Sequence, residues 1–295
     1  MKELRGILVA MATPFTEDGE EVDWGALGIL VDSLIEARVH GLVVAGSTGE
    51  FPTMTPEERR KLTEVVIEQA GGQVPVVIHT AAVRTRETIM YSKHAQESGA
   101  DGLMIVPPYY EPLSEDEVYA HYEAVAEAVD LPIMLYNIPA AAGFDMKPSF
   151  VARLAEIDNI SYVKDSMGDV RRLRGMMVAC GDRISIFNGS DTISFEGLAT
   201  GAVGCVLGAG NVMPRQCVEL FELVSEKGDL EGGRQLWDKM FPVCAFLERE
   251  GYVGAVKAGA ELAGLHMGPP RRPILPLREE KRDELAELLE RLGAI

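Results

Sequence analysis

The stretch Ile160-Ser161-Tyr162-Val163-Lys164-Asp165-Ser166-Met167-Gly168-Asp169 contains a short apolar run, a lone amine and a helix start in direct succession. Residues 160–164 are mostly β-branched or aromatic, which suits a strand. Met167-Gly168-Asp169 opens the next helix, so Lys164 falls at the C-terminal tip of a buried strand. A lysine attacks a carbonyl only as the neutral amine, and burial at such a position favours that form.

Working outward, the same strand-then-helix unit recurs along the chain. Apolar runs lie at 6–11, 41–45, 74–79, 102–106, 131–136, 160–164, 184–188 and 204–207. They are almost continuously apolar, as parallel strands buried on both faces are. Helix patterns between them start at recognisable caps, such as Thr55-Pro56-Glu57-Glu58 and the capping box Ser114-Glu115-Asp116-Glu117. Eight such units without a Pro/Gly/Ser-rich linker argue for an α/β fold of the (β/α)8 TIM-barrel type more than for a doubly wound sheet. Further helical patterns follow at 214–227, 230–248, 254–265 and 279–292. We therefore expect a barrel over 1–225 and a helical C-terminal extension over 226–295, the surplus serving as an appendage or an oligomer surface.

A chain of 295 residues is within the usual span of one such barrel. Apolar content of 47% with only 6% aromatic residues suits a core of small aliphatic side chains. The net charge, 28 basic minus 46 acidic residues or −18, repels nucleic acid and anionic membranes and serves solubility. Cys180, Cys205, Cys217 and Cys244 show neither disulfide nor zinc-site spacing, so no metal is expected and a reducing cytoplasm is the natural location. The start of the chain has no signal-peptide pattern and no run of 18 apolar residues follows, which points to a soluble protein.

In barrels of this kind the chemistry sits at the C-terminal ends of the strands. Those positions hold Gly46-Ser47-Thr48-Gly49-Glu50, His79-Thr80, Pro108-Tyr109-Tyr110, Tyr136-Asn137-Ile138-Pro139, Lys164, Gly189-Ser190-Asp191 and Gly208-Ala209-Gly210-Asn211. Lys164 is the candidate nucleophile, against the alternative of a buried ion pair with Asp165. Tyr136, on the adjacent strand, could shuttle protons to a substrate carried on the lysine, or it could simply pack. Ser47 and Thr48 offer hydroxyls and backbone N–H groups to a carboxylate, although such runs are also ordinary turns. Glu50 could cap its loop or the next helix. Lys257 reads as a snorkelling stem, and all five histidines as satisfied structural groups.

Taken together, Gly46-Ser47-Thr48-Gly49-Glu50, Pro108-Tyr109-Tyr110, Tyr136-Asn137-Ile138-Pro139, Val163-Lys164-Asp165-Ser166 and 204–211 resemble the dihydrodipicolinate synthase / N-acetylneuraminate lyase family of pyruvate-dependent class I aldolases. The resemblance covers essentially the whole chain and implies a (β/α)8 barrel with a helical extension, commonly a homotetramer. It implies that Lys164 carries pyruvate or another 2-oxo acid as a Schiff base and that Tyr136 shuttles protons. Ser47 and Thr48 would hold the carboxylate near the Val206 backbone, and Tyr110 would reach into a neighbouring subunit, making the unit at least a homodimer. Synthases that use aspartate semialdehyde carry an arginine two residues after the proline of Tyr-Asn-x-Pro, where this chain has Ala141. Ser47 and Gly189-Ser190-Asp191 lean toward the lyase branch, but Thr192 and Gly208 replace a glutamate and a serine of the sialic-acid lyases.

The expectation is a lyase needing no cofactor, acting on pyruvate and an aldehyde or on a 2-keto-3-deoxy sugar acid by aldol cleavage, condensation or dehydration. Dihydrodipicolinate synthase activity is the alternative, set back by Ala141. Two rivals remain: a phosphosugar-handling barrel cradling phosphate with residues 201–210, and a non-catalytic barrel that binds 2-oxo acids.

Overall fold

The computed structural model describes residues 3–295. The eight apolar runs are strands β1 (Gly6–Ala10), β2 (Gly41–Val44), β3 (Val76–His79), β4 (Gly102–Ile105), β5 (Ile133–Asn137), β6 (Ile160–Asp165), β7 (Ser185–Asn188) and β8 (Gly204–Leu207). They pair in parallel and in chain order, and β8 returns to β1, closing the barrel. Both strand faces are covered, one by the packed barrel interior and the other by helices, which is why these runs lack polar alternation.

Strands β3 and β5 each begin two residues later than their apolar patterns. Pro75 and Pro132 have no N–H for the ladder, so β3 starts at Val76 and β5 at Ile133, while the proline carbonyls accept from Leu42 and Leu103 at 2.9 Å. Closure at the β8–β1 seam depends on glycine. Gly204 faces Gly6, and a Cβ on Gly204 would stand 2.6 Å from the Gly6 nitrogen.

Helices α1 (Trp24–Glu36), α2 (Pro56–Ala70), α3 (Thr85–Glu97), α4 (Glu115–Ala126), α5 (Pro139–Ala142), α6 (Pro148–Leu154), α7 (Val170–Cys180), α8 (Ser194–Thr200) and α9 (Pro214–Phe221) lie between and after the strands. The capping boxes form as the sequence indicates. Glu58 N–H donates to Thr55 Oγ1 at 3.1 Å and Thr55 N–H to Glu58 Oε2 at 2.8 Å, and Ser114 and Glu117 repeat the arrangement on α4. Each N-cap contributes about 1 kcal/mol. The pattern over 214–227 divides, with α9 ending at Phe221 and one π-helical turn covering Glu222–Glu226.

The C-terminal extension consists of α10 (Leu230–Arg249), α11 (Tyr252–Leu262) and α12 (Glu279–Leu292). Trp237, Met240, Val243, Phe246 and Leu247 form the buried face of α10, and α12 buries Leu285 and Leu289. Burying such side chains stabilises by roughly 1.5–3 kcal/mol each. Helix α10 packs against α9, α11, α12 and the short turn Asp191–Ile193 after β7. That packing carries the α10–α11 bend to the C-terminal mouth of the barrel. Among the described residues no helix is long and apolar enough to cross a membrane.

Candidate active site

Tyr136 on β5 and Lys164 on β6 are register partners. Both side chains point into the barrel mouth, 3% and 5% exposed, and Lys164 Nζ lies 4.1 Å from the centroid of the Tyr136 ring. Successive strand residues face opposite ways, so Asp165 turns to the helical layer. There it accepts from Asn137 Nδ2 at 2.8 Å and Met167 N–H at 3.1 Å and pairs with Arg172 at 3.3 Å. The ion pair that would have given Lys164 a purely structural role is not made. Among the described residues Lys164 is a buried amine with no carboxylate at ion-pair distance.

A cavity of about 530 Å³ opens above this pair, lined by Ser47, Thr48, Tyr136, Lys164, Gly189 and Val206 together with groups from later loops. Gly189 is required by the lysine. A Cβ there would fall 2.7 Å from Lys164 Cγ and 2.8 Å from Lys164 Cε, so the aliphatic stem lies directly across the glycine. Opposite, the chain bends through left-handed residues Ala45 (φ 55°) and Glu50 (φ 62°), and Thr13 Oγ1 secures the loop by donating to Gly49 O at 2.9 Å. Ser47 and Thr48 spend neither hydroxyl nor N–H on other described residues, which leaves donors for an anionic group.

Glu50 anchors the loop from beneath. It is fully buried, Lys257 Nζ stands 3.0 Å from Oε1, and Arg271 N–H donates to Oε2 at 2.7 Å. Burial raises the Glu50 carboxyl above its ordinary pKa and lowers the Lys257 ammonium to about 8, with the pair's mutual attraction opposing both shifts. Lys257 is thus not a snorkelling stem; its charge is inside, also donating to Pro269 O at 3.1 Å. His79 corrects a second expectation. It is buried between Phe51 and Tyr136, and among the described residues neither ring nitrogen makes a well-directed hydrogen bond. Burial foremost, then the charges of Arg59 and Lys164, hold it well below the usual imidazole range.

Two expected site residues stand away from the cavity lining. Tyr110 projects outward, 80% exposed. Asp191 is buried behind the wall, accepting from Ala209 N–H at 3.3 Å and, in a very short contact, from Tyr252 OH. Burial pushes its carboxyl up to about 6 against the hydrogen bonds that favour ionisation. Tyr252 and Glu248 line the cavity and were not among the candidates from sequence. Both belong to the α10–α11 bend. Glu248 accepts from Ser190 Oγ at 2.8 Å and from Thr192 Oγ1 at 2.6 Å. Gly208 has no side chain because Tyr252 occupies its space: a Cβ would lie 2.9 Å from Tyr252 Cζ. The Gly251 break between the two helices is the only sequence signal that the chain changes direction there.

Ala141 sits on α5 and borders a neighbouring apolar chamber of about 400 Å³, which shares Ser47 and Ile138 with the main cavity. Among the described residues no arginine lines either space. The phosphate cradle considered for residues 201–210 is occupied internally, since Ala209 N–H serves Asp191 and Asn211 N–H serves Gly208 O. Among the described residues no group of three or more His, Cys, Asp or Glu side chains could hold a metal ion.

A (β/α)8 barrel with a buried, uncompensated lysine beside a tyrosine and a hydroxyl-bearing loop defines the lysine-dependent aldolase class. A model of the dihydrodipicolinate synthetase family matches residues 3–292, and the chain belongs to that family of class I Schiff-base lyases. A 4-hydroxy-tetrahydrodipicolinate synthase of Thermomicrobium roseum is 39% identical over 97% of this chain and 94% of the relative. That of Oceanobacillus iheyensis is 36% identical over 96% and 95%. A crystal structure of the chloride-inhibited dihydrodipicolinate synthase of Acinetobacter baumannii complexed with pyruvate superposes with a TM-score of 0.94 at 34% identity, covering 99% of this chain and 100% of that one.

Proposed function

We propose that this lyase acts through an imine between Lys164 and a 2-oxo acid such as pyruvate. The observation that supports it most is the buried, unpaired amine of Lys164 over the Tyr136 ring, with its stem fitted against Gly189. The neutral amine adds to the 2-oxo carbon, and the carbinolamine loses water to give the imine. Tyr136 carries the protons between nitrogen and the departing oxygen. Ser47 and Thr48, near the Val206 backbone, hold the carboxylate. The protonated imine then takes up the electron pair released when the carbon–carbon bond breaks, or supplies it as an enamine when the bond forms. No metal or organic cofactor enters the sequence of steps. Tyr110, 80% exposed, suits a contact with a second copy, in a homodimer or homotetramer.

The second substrate has two readings. The relatives' names favour 4-hydroxy-tetrahydrodipicolinate synthesis, hence aspartate semialdehyde, and on comparison alone this is the better supported. The cavity favours a 2-keto-3-deoxy sugar acid or the hydroxyaldehyde it releases, because Ala141 offers no clamp for a second carboxylate. The geometry supports the sugar-acid reading best. Product analysis with pyruvate plus aspartate semialdehyde, beside pyruvate plus glyceraldehyde, tests it. Faster turnover of aspartate semialdehyde would overturn the sugar-acid reading in favour of the synthase.

A further inference from the structure

The cavity wall formed by the turn after β7 and the α10–α11 bend is built by Ser190, Thr192, Glu248 and Tyr252, and its hydrogen-bond polarity can be counted. Tyr252 gives its one O–H to Asp191, so the phenol oxygen can only accept from the cavity. Ser190 gives its hydroxyl proton to Glu248 Oε1, and Thr192 gives its own to Oε2. An ionised carboxylate has about four acceptor sites and no donor. Ser190 Oγ and Thr192 N–H both address Oε1, and Thr192 Oγ1 addresses Oε2, which leaves Oε2 with acceptor capacity. The wall therefore presents acceptors and negative charge, and among the described residues Lys164 is the only cation lining the cavity.

We propose that Glu248 and Tyr252, brought in by the C-terminal extension, determine specificity by accepting hydrogen bonds from an uncharged polyhydroxy chain and rejecting chains that end in carboxylate or phosphate. This rests on the imine chemistry proposed above and narrows its second substrate. Hydroxyl groups supply the donors the wall lacks, whereas a carboxylate or phosphate would bring further acceptors and a like charge.

The test uses the full-length enzyme with saturating pyruvate and compares kcat/KM for D-glyceraldehyde and D-glyceraldehyde 3-phosphate. The wild type should prefer the uncharged aldehyde by a hundredfold or more. Glu248→Gln, which replaces an acceptor by an N–H₂ donor and removes the charge, should narrow that ratio at least tenfold, equivalent to about 1.4 kcal/mol. Tyr252→Phe should narrow it in the same direction by lowering kcat/KM for glyceraldehyde alone. A ratio of two substrates is insensitive to a general loss of activity, and two separate variants guard against one failing to fold. Equal use of both aldehydes by the wild type, or ratios unchanged in both variants, would overturn the proposal. Borohydride trapping of the wild type with pyruvate separates the two levels: no trapping refutes the imine itself, whereas trapping without discrimination refutes only the role of this wall.

Discussion

Replacing Gly189 by alanine puts a methyl group where the Lys164 stem already lies. The added Cβ would be 2.7 Å from Lys164 Cγ, against ordinary contact at 3.4 Å or more, so about 0.7 Å must be made up by the difference of these two distances. The backbone cannot readily supply it, because Gly189 N–H is held by Asp165 O at 2.8 Å and Gly189 O accepts from Ser166 Oγ at 2.8 Å. The Ser166 hydroxyl, whose oxygen also lies where the methyl would go, and the lysine stem must both move, and the Tyr136 ring already contacts the lysine Nζ. Overpacking of this kind costs roughly 1–3 kcal/mol of stability, which in a chain of this size lowers the unfolding midpoint by a few degrees, at about 2–4 °C per kcal/mol. A reacting atom displaced by nearly 1 Å loses on the order of 100-fold in rate. Rates of borohydride-trapped imine with pyruvate, measured beside thermal unfolding, should show the rate loss far exceeding what the modest destabilisation explains. Wild-type trapping by Gly189→Ala would refute the claim that this contact positions the amine.

Tyr136→Phe keeps the ring under the lysine but removes the proton carrier, and should lower kcat by about 10²–10⁴-fold with little change in the unfolding midpoint; turnover within threefold of wild type would exclude the shuttle. Lys257→Met leaves Glu50 buried without its cation and should cost about 3–5 kcal/mol in denaturant unfolding, with part recovered by adding Glu50→Gln. Asp191 is an acid whose native pKa, about 6, is raised above its ordinary 3.8, so its stabilising share is present at low pH and lost as pH rises through 6. Relative to Asp191→Asn, the wild type should therefore gain up to about 2 kcal/mol between roughly pH 7.5 and pH 4.5, at about 1.36 kcal/mol per unit; a difference independent of pH would contradict this placement of the carboxyl.

The barrel was legible because each strand is buried on both faces and several helices, α2 and α4 clearest among them, begin at a capping side chain, signals confined to a few neighbouring residues. Lys164 and Tyr136 were legible for the same reason, since a strand's end fixes where its last side chains go. The polar wall was not. Glu248 and Tyr252 sit in a charged helical context, Glu248-Arg249-Glu250-Gly251-Tyr252, whose local pattern gives no sign that it packs over the turn after β7. Lys257 likewise sits in an apolar helix, and only the fold brings Glu50 to 3.0 Å from it. The spacing of the histidines says only that they do not hold a metal; it cannot show that His79 is an exception to the rule that buried imidazoles are hydrogen-bonded, neither ring nitrogen making a well-directed bond among the described residues. Gly208 shows how an absence can mislead: a missing side chain at the eighth strand end reads as lost binding capacity, yet Tyr252 fills that space from another element.

The imine proposed between Lys164 and a 2-oxo acid is the step on which all the later chemistry depends. Incubation of the folded protein with pyruvate and borohydride, followed by intact mass and peptide mapping, tests it most directly. One reduced pyruvyl group per chain is expected, carried on Lys164 and absent from Lys164→Ala. An unmodified Lys164 in folded protein, or modification spread over surface lysines and undiminished in Lys164→Ala, would contradict it.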